Sequence, residues 1–393
     1  MRILCNFFLF FLTGCQLTQS PKTFFSLPTD IAEKKAEKKL RINQSQVEIQ
    51  ENSILSTPQS QEDAWKRIAM QLKMEIPNHE TIERYRNWYI KNPNHLNTVS
   101  KRAEPFLYLI IDKIEQRNMP LELALLPVIE SSFDTLAYSQ EKASGLWQFL
   151  SNTGKSYGLE QNFWYDGRLD VAASTDAALD YLTHLNKRFN GNWKQAIAAY
   201  NSGGGRISSA IRKNNRLGKP IDFLSLDLPK ETTSYVQKLL ALADIISNSE
   251  KYGIKIPAVA NKPVVKLVNP KIQLDLTVAA KYAGISIQKL QKLNPAYNQY
   301  ITAPDGPYQL LLPIDSIQSF NDNIKKHQGK GIKVICYQVK AGDSLILLAK
   351  KYKTTTKLIQ RTNNLSNNKI FINQYLLIPS FSKNQHKYIK HYQ

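Results

Sequence analysis

The chain has 393 residues, 42% of them hydrophobic, and a formal net charge of +20 at pH 7. This length and hydrophobic content predict two or three domains with at least one large core, and they exclude an intrinsically disordered protein. The positive charge predicts a surface that attracts polyanions, which could be nucleic acid, anionic lipid or a wall polymer carrying carboxylates.

The first fifteen residues have the pattern of an export signal. Arg2 precedes an almost purely apolar run, residues 3–12, which is too short to span a bilayer permanently. The following Leu12-Thr13-Gly14-Cys15 resembles the bacterial lipobox. This resemblance implies that residues 1–14 are removed and that Cys15 carries a lipid anchor. Gln16 in place of Asp implies an outer-membrane lipoprotein that faces the periplasm of a Gram-negative-type bacterium. The alternative is an ordinary signal peptide with an incidental cysteine.

The three cysteines exclude an intrachain disulfide in the exported protein. Cys5 leaves with the signal and Cys15 takes the lipid, so Cys336 remains as a free thiol. No His or Cys stands near Cys336 at metal-ligand spacing, which argues against a zinc site or a Cys/His nucleophile pair. We expect Cys336 to be a small buried residue in a strand.

The next elements are a tether and a helical domain. Residues 15–80 are interpreted as the lipid-anchor tether and N-terminal segment, polar as far as Gln61. Residues 81–255 carry helical patterns. Within them, residues 121–129 predict a central buried helix, and Asp170 predicts the N-cap of a long helix that ends at Asn190-Gly191. Further helices are predicted at residues 193–200 and 232–248.

An internal repeat follows residue 257. Residues 262–315 and 335–380 share one pattern, a strand, two short helices and a second strand. The last residues, 381–393, form a basic tail without a core-forming pattern.

Glu130 is the candidate for acid and base chemistry. It follows the apolar residues 125–129, so its carboxyl is predicted at the end of a buried helix. Burial raises a carboxylic pKa because it penalises the charged form, and a Glu that holds its proton near neutral pH can protonate a departing sugar oxygen. On these residues alone, a Glu that points to solvent from a helix end is the favoured alternative.

The motifs around and after Glu130 change this interpretation. They are Glu130-Ser131-Ser132-Phe133, Ser139, Gly145-Leu146-Trp147-Gln148-Phe149, Tyr157-Gly158-Leu159, Ala198-Ala199-Tyr200-Asn201-Ser202-Gly203 and Glu231-Thr232 with Tyr235-Val236. In this order they resemble the soluble lytic transglycosylase domain, over residues 81–253. The resemblance implies a mainly α protein with a lysozyme-like α+β catalytic domain.

The same resemblance implies roles for single residues. Glu130 is the catalytic acid and base, and Tyr235 hydrogen-bonds and orients it. The residues implied in substrate binding are Ser139, Gln148, Tyr200 and Asn201. The alternatives are a helix-capping role for Gln148, and core aromatics with satisfied hydroxyls for Tyr200 and Tyr235.

A second catalytic carboxylate lacks support. Asp134 lies one helical turn after Glu130 if the helix continues, but it is better interpreted as a turn or capping residue. One carboxyl suffices if the nucleophile belongs to the substrate. The resemblance therefore implies a lyase that cleaves the β-1,4 bond between N-acetylmuramic acid and N-acetylglucosamine and leaves 1,6-anhydro ends, with no metal or organic cofactor.

The second repeat opens with residues 337–345, whose Gly342-Asp343-Ser344 resembles the Gly-Asp-Ser/Thr turn of a LysM module. This implies a small βααβ fold in which Gly342, Asp343 and Ser344 bind peptidoglycan glycan strands. In the first repeat Leu274-Asp275-Leu276-Thr277 stands in place of that turn. Sugar binding and a purely structural role both stay open for this degenerate LysM-like module.

These patterns leave three functions open. The preferred one is a peptidoglycan lytic transglycosylase for cell-wall turnover and remodelling, held at the membrane by its N-terminal lipid. The second is a non-catalytic LysM wall-binding lipoprotein, against which the intact Glu130 motifs argue. The third is a nucleic-acid-binding protein, which the basic charge suggests but the export signal and the lack of a nucleic-acid motif oppose.

Overall fold

A computed structural model describes residues 57–327 and 333–380. The predicted signal peptide, Cys15, most of the tether and the basic tail lie outside these residues. Within them, no helix is long and apolar enough to cross a membrane, and no group of three His, Cys, Asp or Glu side chains could hold a metal ion.

The N-terminal part of the described chain is helical. Its α-helices are α1 (Ala64–Ala69), α2 (Glu80–Lys91), α3 (Pro93–Ala103), α4 (Leu107–Gln116), α5 (Leu126–Ser131), α6 (Ser151–Ser156), α7 (Val171–Arg188), α8 (Trp193–Ser202), α9 (Gly204–Arg216) and α10 (Lys230–Ser247). Short 3₁₀ helices lie at Pro58–Ser60, Leu121–Leu125 and Phe223–Ser225. The apolar helix α10 is buried over most of its length and packs against α2 and α8, so it forms the centre of this core.

Helix α7 has the predicted boundaries. The Asp170 carboxylate accepts a hydrogen bond from the Ala173 N–H at 2.8 Å and caps the first turn. After the last turn, Asn190 and Gly191 take left-handed backbone angles, φ 51° and 85°. Asn and Gly tolerate this conformation better than other residues do, and this is why the pair ends the helix.

Residues 121–129 do not form the single helix that we predicted. A 3₁₀ helix at Leu121–Leu125 leads into α5, with Pro127 in the first turn of α5 where a missing N–H costs little. Ser132 and Phe133 then take left-handed angles, φ 50° and 58°, which stop α5 after Ser131, one residue past Glu130. Phe133 is held in this unfavourable conformation by its complete burial.

The helical core begins before residue 81, inside the segment interpreted as a tether and N-terminal segment. Trp65 on α1 is buried and donates a hydrogen bond from its indole N–H to the Ser100 Oγ at 3.1 Å. Asp63 caps α1 and also accepts from the Val259 N–H at 3.1 Å. The start of α1 is therefore hydrogen-bonded to the segment that follows α10, so the two ends of the helical part contact each other.

The two repeats fold as predicted, each as a strand, two short helices and a strand. The first repeat contains β1 (Val265–Val268), α11 (Leu276–Ala283), α12 (Ile287–Leu293) and β2 (Leu310–Pro313), and is followed by a 3₁₀ turn at Ile314–Ser316 and by α13 (Ile317–Lys326). The second contains β3 (Lys333–Gln338), α14 (Leu345–Lys351), α15 (Thr356–Thr362) and β4 (Tyr375–Ser380). Both strand pairs are antiparallel.

An equivalent asparagine ties each second helix to the closing strand. The Asn294 amide bonds the backbone N–H and carbonyl of Leu311 at 2.7 and 2.9 Å, and the Asn363 amide does the same with Leu377 at 2.7 and 2.8 Å. Helix α13 packs on α11 and has no counterpart in the predicted repeat.

The prediction for Cys336 was wrong, because this residue is exposed on β3. Successive side chains of a strand point to opposite faces. Tyr337 points to the core of the module, so Cys336 points to the open face of the two-stranded sheet.

Candidate active site

The half-buried Glu130, at the end of α5, meets the buried Tyr235 of α10. Its Oε1 accepts a hydrogen bond from the Tyr235 hydroxyl at 2.6 Å. Burial raises the pKa of Glu130 to about 7, and the hydrogen bond from Tyr235 opposes part of this effect. The carboxyl is therefore balanced between its protonated and charged forms near neutral pH.

Tyr235 is a donor to this carboxyl and not a titrating partner. It lies on α10, is 6% exposed, and its pKa is well above the ordinary value because of burial and the neighbouring Glu130 charge. The structure thus brings together two residues that the sequence analysis paired, and the Tyr235 hydroxyl is bonded to the Glu130 carboxyl.

Tyr200 lies near Glu130 in a cluster of aromatic rings. Burial and the negative charge of Glu130 raise the pKa of Tyr200, whose hydroxyl donates to the Trp147 carbonyl at 2.8 Å. Its ring meets Phe149 at 6.3 Å and Tyr181 at 5.4 Å between centroids. Sequence reasoning did not assign Tyr181, because a tyrosine inside a long helix looks like any core aromatic.

Ser139 and Gln148 shape a compact loop over residues 137–149. The Ser139 Oγ accepts from the Ala143 N–H at 3.2 Å, and the Gln148 amide donates to the Gly145 carbonyl at 2.8 Å. Gly145 is required here, since its φ is 80° and a Cβ would come within 2.1 Å of the Arg168 carbonyl oxygen.

Ser131 ties this loop to α5. Its hydroxyl is 3.0 Å from the Leu146 carbonyl oxygen and 3.1 Å from that of Pro127. Among the described residues, no hydrogen bond joins Glu130 to Ser139 or Gln148. Ser139 and Gln148 are thus connected to Glu130 only indirectly, through the hydrogen bond of Ser131 to the loop and through α5.

Asn201 lies beside Tyr200 in the chain, whereas Asp134 lies in a turn after α5. Asn201 is half-buried near the end of α8, next to Tyr200 in the chain. Asp134 lies beyond the end of α5, where its carboxylate accepts from the Leu136 N–H at 3.0 Å and pairs with Arg102 at 3.2 Å. Asp134 is a turn residue and does not face Glu130 as a second catalytic carboxylate.

The predicted glycan-binding residues of the second repeat form a tight turn. The Asp343 carboxylate accepts from the Tyr337 hydroxyl and from the Lys340 N–H, both at 2.8 Å, and Ser344 caps α14. Gly342 has a φ of 87°. Pairing of Val339 with residues 373 and 374 brings a second loop to the side of this turn.

Exposed apolar side chains, which the sequence analysis missed, stand in the first turn of α14 and on the loop before β4. Ile346 is 67% exposed and Phe371 is 71% exposed. The sequence could have indicated them, because both are apolar residues at positions of a short helix or turn that do not face the core of the module.

The first repeat lies between the helical core and the second repeat. Its Leu293 and Leu311 belong to the core cluster of the helical part, and the Asn298 N–H donates to the Trp164 carbonyl at 2.9 Å. Towards the second repeat, Ile301 packs with Leu358.

Asp275 makes the polar link between the two repeats. One carboxylate oxygen caps α11 by accepting from the Thr277 N–H at 2.7 Å, and the other accepts from the Arg361 guanidinium at 2.6 Å. Asp275 is completely buried, whereas Arg361 is 30% exposed.

The comparisons with known proteins agree with this architecture. Residues 108–223 match the family described as the transglycosylase SLT domain, residues 265–329 match the LysM-like domain of lytic transglycosylase MltD, and residues 337–379 match the LysM domain. The membrane-bound lytic murein transglycosylase D of Escherichia coli (strain K12) is 37% identical over 334 residues, which are 82% of this chain and 74% of that protein. The chain belongs to the lytic murein transglycosylase D family.

Membership in the lytic murein transglycosylase D family makes the chain a peptidoglycan lytic transglycosylase, and it confirms the predicted family and fold class. A protein of Alteromonas sp. (strain M-1) that is named for tributyltin chloride resistance is 41% identical over 169 residues, 43% of this chain and 80% of that protein. The crystal structure of the 70 kDa soluble lytic transglycosylase of Escherichia coli aligns with 48% of this chain and 33% of its own, with 18% identity and a TM-score of 0.31.

Proposed function

We propose that Glu130 is the single acid and base with which this enzyme cleaves the bond between N-acetylmuramic acid and N-acetylglucosamine. The observation that carries the proposal is the Glu130 carboxyl at the end of α5, held by the Tyr235 hydroxyl at 2.6 Å. Burial raises the pKa of this carboxyl to about 7, which agrees with the proposed role. Asp134 points elsewhere, so a mechanism with one protein carboxyl and a nucleophile from the substrate fits this site best.

In the first step, protonated Glu130 donates its proton to the glycosidic oxygen. The bond from this oxygen to C1 of the muramic unit breaks, its electron pair stays on the oxygen, and N-acetylglucosamine leaves with a free 4-hydroxyl. The cation-like C1 is supported by the N-acetyl group of the same sugar. Tyr235 stabilises the Glu130 carboxylate that this step creates, because it donates to the charged form.

In the second step, the Glu130 carboxylate takes the proton of the muramic 6-hydroxyl while O6 bonds to C1. The product is a 1,6-anhydromuramoyl end, no water is consumed, and Glu130 is again protonated. A pKa near the working pH serves both steps, since the residue must first release and then accept a proton.

The remaining site residues are proposed to hold the polymer. Ser139, Gln148, Tyr200 and Asn201 line the path of the glycan next to Glu130. The turn of Gly342, Asp343 and Ser344 binds N-acetylglucosamine-containing chains in the LysM module. Such a second site raises the effective concentration of substrate at Glu130.

The first repeat is proposed to position the LysM module and not to bind sugar. Its cap residue Asp275 is buried against Arg361, and its apolar residues Leu293 and Leu311 pack into the catalytic core. This module therefore fixes the two functional parts of the enzyme relative to each other.

The location proposed for the enzyme rests on its first residues. The signal of residues 1–14 exports the chain, and Cys15 carries the lipid that holds it at the outer membrane, facing the periplasm. Radiolabelled fatty acid is expected in the native protein and absent from Cys15→Ser, and label in the variant would contradict the assignment.

Product analysis tests the proposed reaction. Purified sacculi are digested with the native enzyme and with Glu130→Gln, and the soluble fragments are weighed by mass spectrometry. We expect 1,6-anhydro ends from the native enzyme, none from Glu130→Gln, and sacculus binding by both. Reducing ends with the mass of added water would overturn the lyase mechanism, and lysis by Glu130→Gln would overturn the role of Glu130.

A further inference from the structure

A cavity of about 340 Å³ lies beside α5, on residues to which the proposed reaction assigns no role. One wall is aromatic, formed by Tyr85 and Trp88 of α2 with His95 of α3. Ile129 and Ser132 at the end of α5 and Lys238 of α10 also line the cavity.

Trp88 offers this cavity an open apolar surface. Its indole is 46% exposed, although it packs edge-on against Tyr89 and His95 with 5.2 Å between centroids in each case. A large aromatic side chain that stays exposed within a rigid packed cluster is a usual anchor for a ligand.

The charge at the cavity is positive. The Lys238 ammonium lies 5.4 Å from the centre of the Tyr85 ring and, within the described residues, forms no ion pair. Arg102 is close enough to lower, together with burial, the pKa of His95. None of the lining residues is acidic, so the cavity favours a ligand that combines apolar groups with a negative charge.

The position of the cavity limits what that ligand can be. Ile129 and Ser132 flank Glu130 in the chain, and Lys238 follows Tyr235 by about one turn of α10. In the proposed reaction the muramic unit lies at Glu130, and its peptide stem leaves the sugar at that point. An extended peptide spans about 3.3 Å per residue, so its first residues can reach a cavity next to α5.

We propose that this cavity binds the peptide stem of the muramic unit that is being cleaved, with stem methyl groups on Trp88 and a stem carboxylate on Lys238. The inference rests on the proposed function, because it assumes the muramic unit at Glu130. A further sugar ring fits the observations less well, since N-acetylglucosamine is neutral and leaves Lys238 without a partner. Stem binding gives the enzyme a preference for glycan that still carries peptides.

Two forms of one substrate test this proposal. Sacculus glycan is used with its peptides and after an amidase has removed them. On the peptide-bearing form, Lys238→Gln is expected to lower kcat/KM about tenfold, as the loss of one charge-assisted contact would. On the stripped form, Lys238→Gln and the native enzyme are expected to be equal. Lys230→Gln is the matched control, since it removes the same charge from an exposed position on the same helix.

Trp88→Leu gives the second measurement. It is expected to lose activity on peptide-bearing glycan and to keep it on stripped glycan, with an unchanged melting temperature. Equal loss on both substrates, or no loss on either, would overturn the stem-binding inference. Absence of anhydro products with the native enzyme on both substrates would instead overturn the proposed function.

Direct binding separates the stem from the sugar. Free stem peptide is titrated into full-length Glu130→Gln protein while tryptophan fluorescence is recorded. We expect a saturable change that Lys238→Gln weakens about tenfold. A response to chitotetraose at this cavity, with none to the peptide, would show a sugar subsite and contradict the proposal.

Discussion

Replacing Tyr235 by Phe isolates the contribution of one hydroxyl to the catalytic carboxyl. The Tyr235 hydroxyl donates to Glu130 at 2.6 Å and opposes the effect of burial, which raises the pKa of Glu130 to about 7. A hydrogen bond to a charged group contributes about 1.5–3 kcal/mol, and 1.36 kcal/mol corresponds to one pKa unit. The neutral acid keeps part of this bond, so we expect the pKa to rise by about one unit in Tyr235→Phe.

The sign of the expected effect on activity follows from the proposed first step, in which Glu130 must be protonated. Activity is present below pH 7 and falls as the pH rises through about 7. In Tyr235→Phe this alkaline limb moves about one pH unit higher, while kcat falls about tenfold to a hundredfold because the carboxyl loses its orientation.

The assay is the pH profile of kcat/KM for release of anhydro fragments from sacculi. Tyr252→Phe is the matched control, since it removes a tyrosine hydroxyl that donates to the Asp244 carboxylate at 2.9 Å instead of to Glu130. The control is expected to keep the native limb. A limb in Tyr235→Phe that stays in place or moves to lower pH would refute the reasoning, whatever happens to kcat.

Three further outcomes are expected. The free energy of unfolding of the native enzyme is expected to fall between pH 4.5 and 7, because folded Glu130 holds its proton more tightly than unfolded Glu130. Glu130→Gln lacks this carboxyl, so it should be about 2–4 kcal/mol more stable than the native enzyme at pH 8 and equally stable at pH 4. Urea unfolding at both pH values measures this difference. Arg361→Gln leaves the buried Asp275 carboxylate without its partner and should lower the free energy of unfolding by about 1–3 kcal/mol, whereas Lys357→Gln, on the same helix, should change it by less than about 0.5. Phe371 is exposed on the loop beside the Gly342-Asp343-Ser344 turn, so Phe371→Ser should weaken sacculus binding in a pull-down assay about tenfold without a change in melting temperature. Unchanged binding would show that Phe371 does not contact the glycan.

The parts of the fold that were predicted correctly from the sequence are marked by local residue patterns, such as the capping residues at the ends of a helix. Asp170 and the Asn190-Gly191 pair mark the two ends of α7 without any knowledge of distant contacts. The βααβ pattern of the modules was readable because it occurs twice. Helix α1 was missed for the opposite reason, since Asp63 and Trp65 are fixed by Val259 and Ser100, far away in the chain.

The candidate site divides in the same way. Resemblance supplied the residue types, and it paired Glu130 with Tyr235 across 105 residues of sequence. The sequence could not supply the pKa of Glu130, because that value arises from two opposing effects of the fold. Burial by several helices raises it, and the Tyr235 hydroxyl lowers it. No sequence motif indicated Lys238 or Trp88, because they line one cavity only as a result of the packing of α2 against α10.

The two repeats carry different residues at the equivalent helix cap, and this difference fits the roles proposed for them. Ser344 and Asp275 both accept hydrogen bonds from the first turn of the following helix. The Ser344 hydroxyl has a single oxygen, which caps α14. A carboxylate has a second oxygen, and in Asp275 that oxygen faces Arg361 of the other module. With Asp at the cap, the first repeat keeps the fold of a LysM module and gains a charged contact through which it holds its neighbour in place.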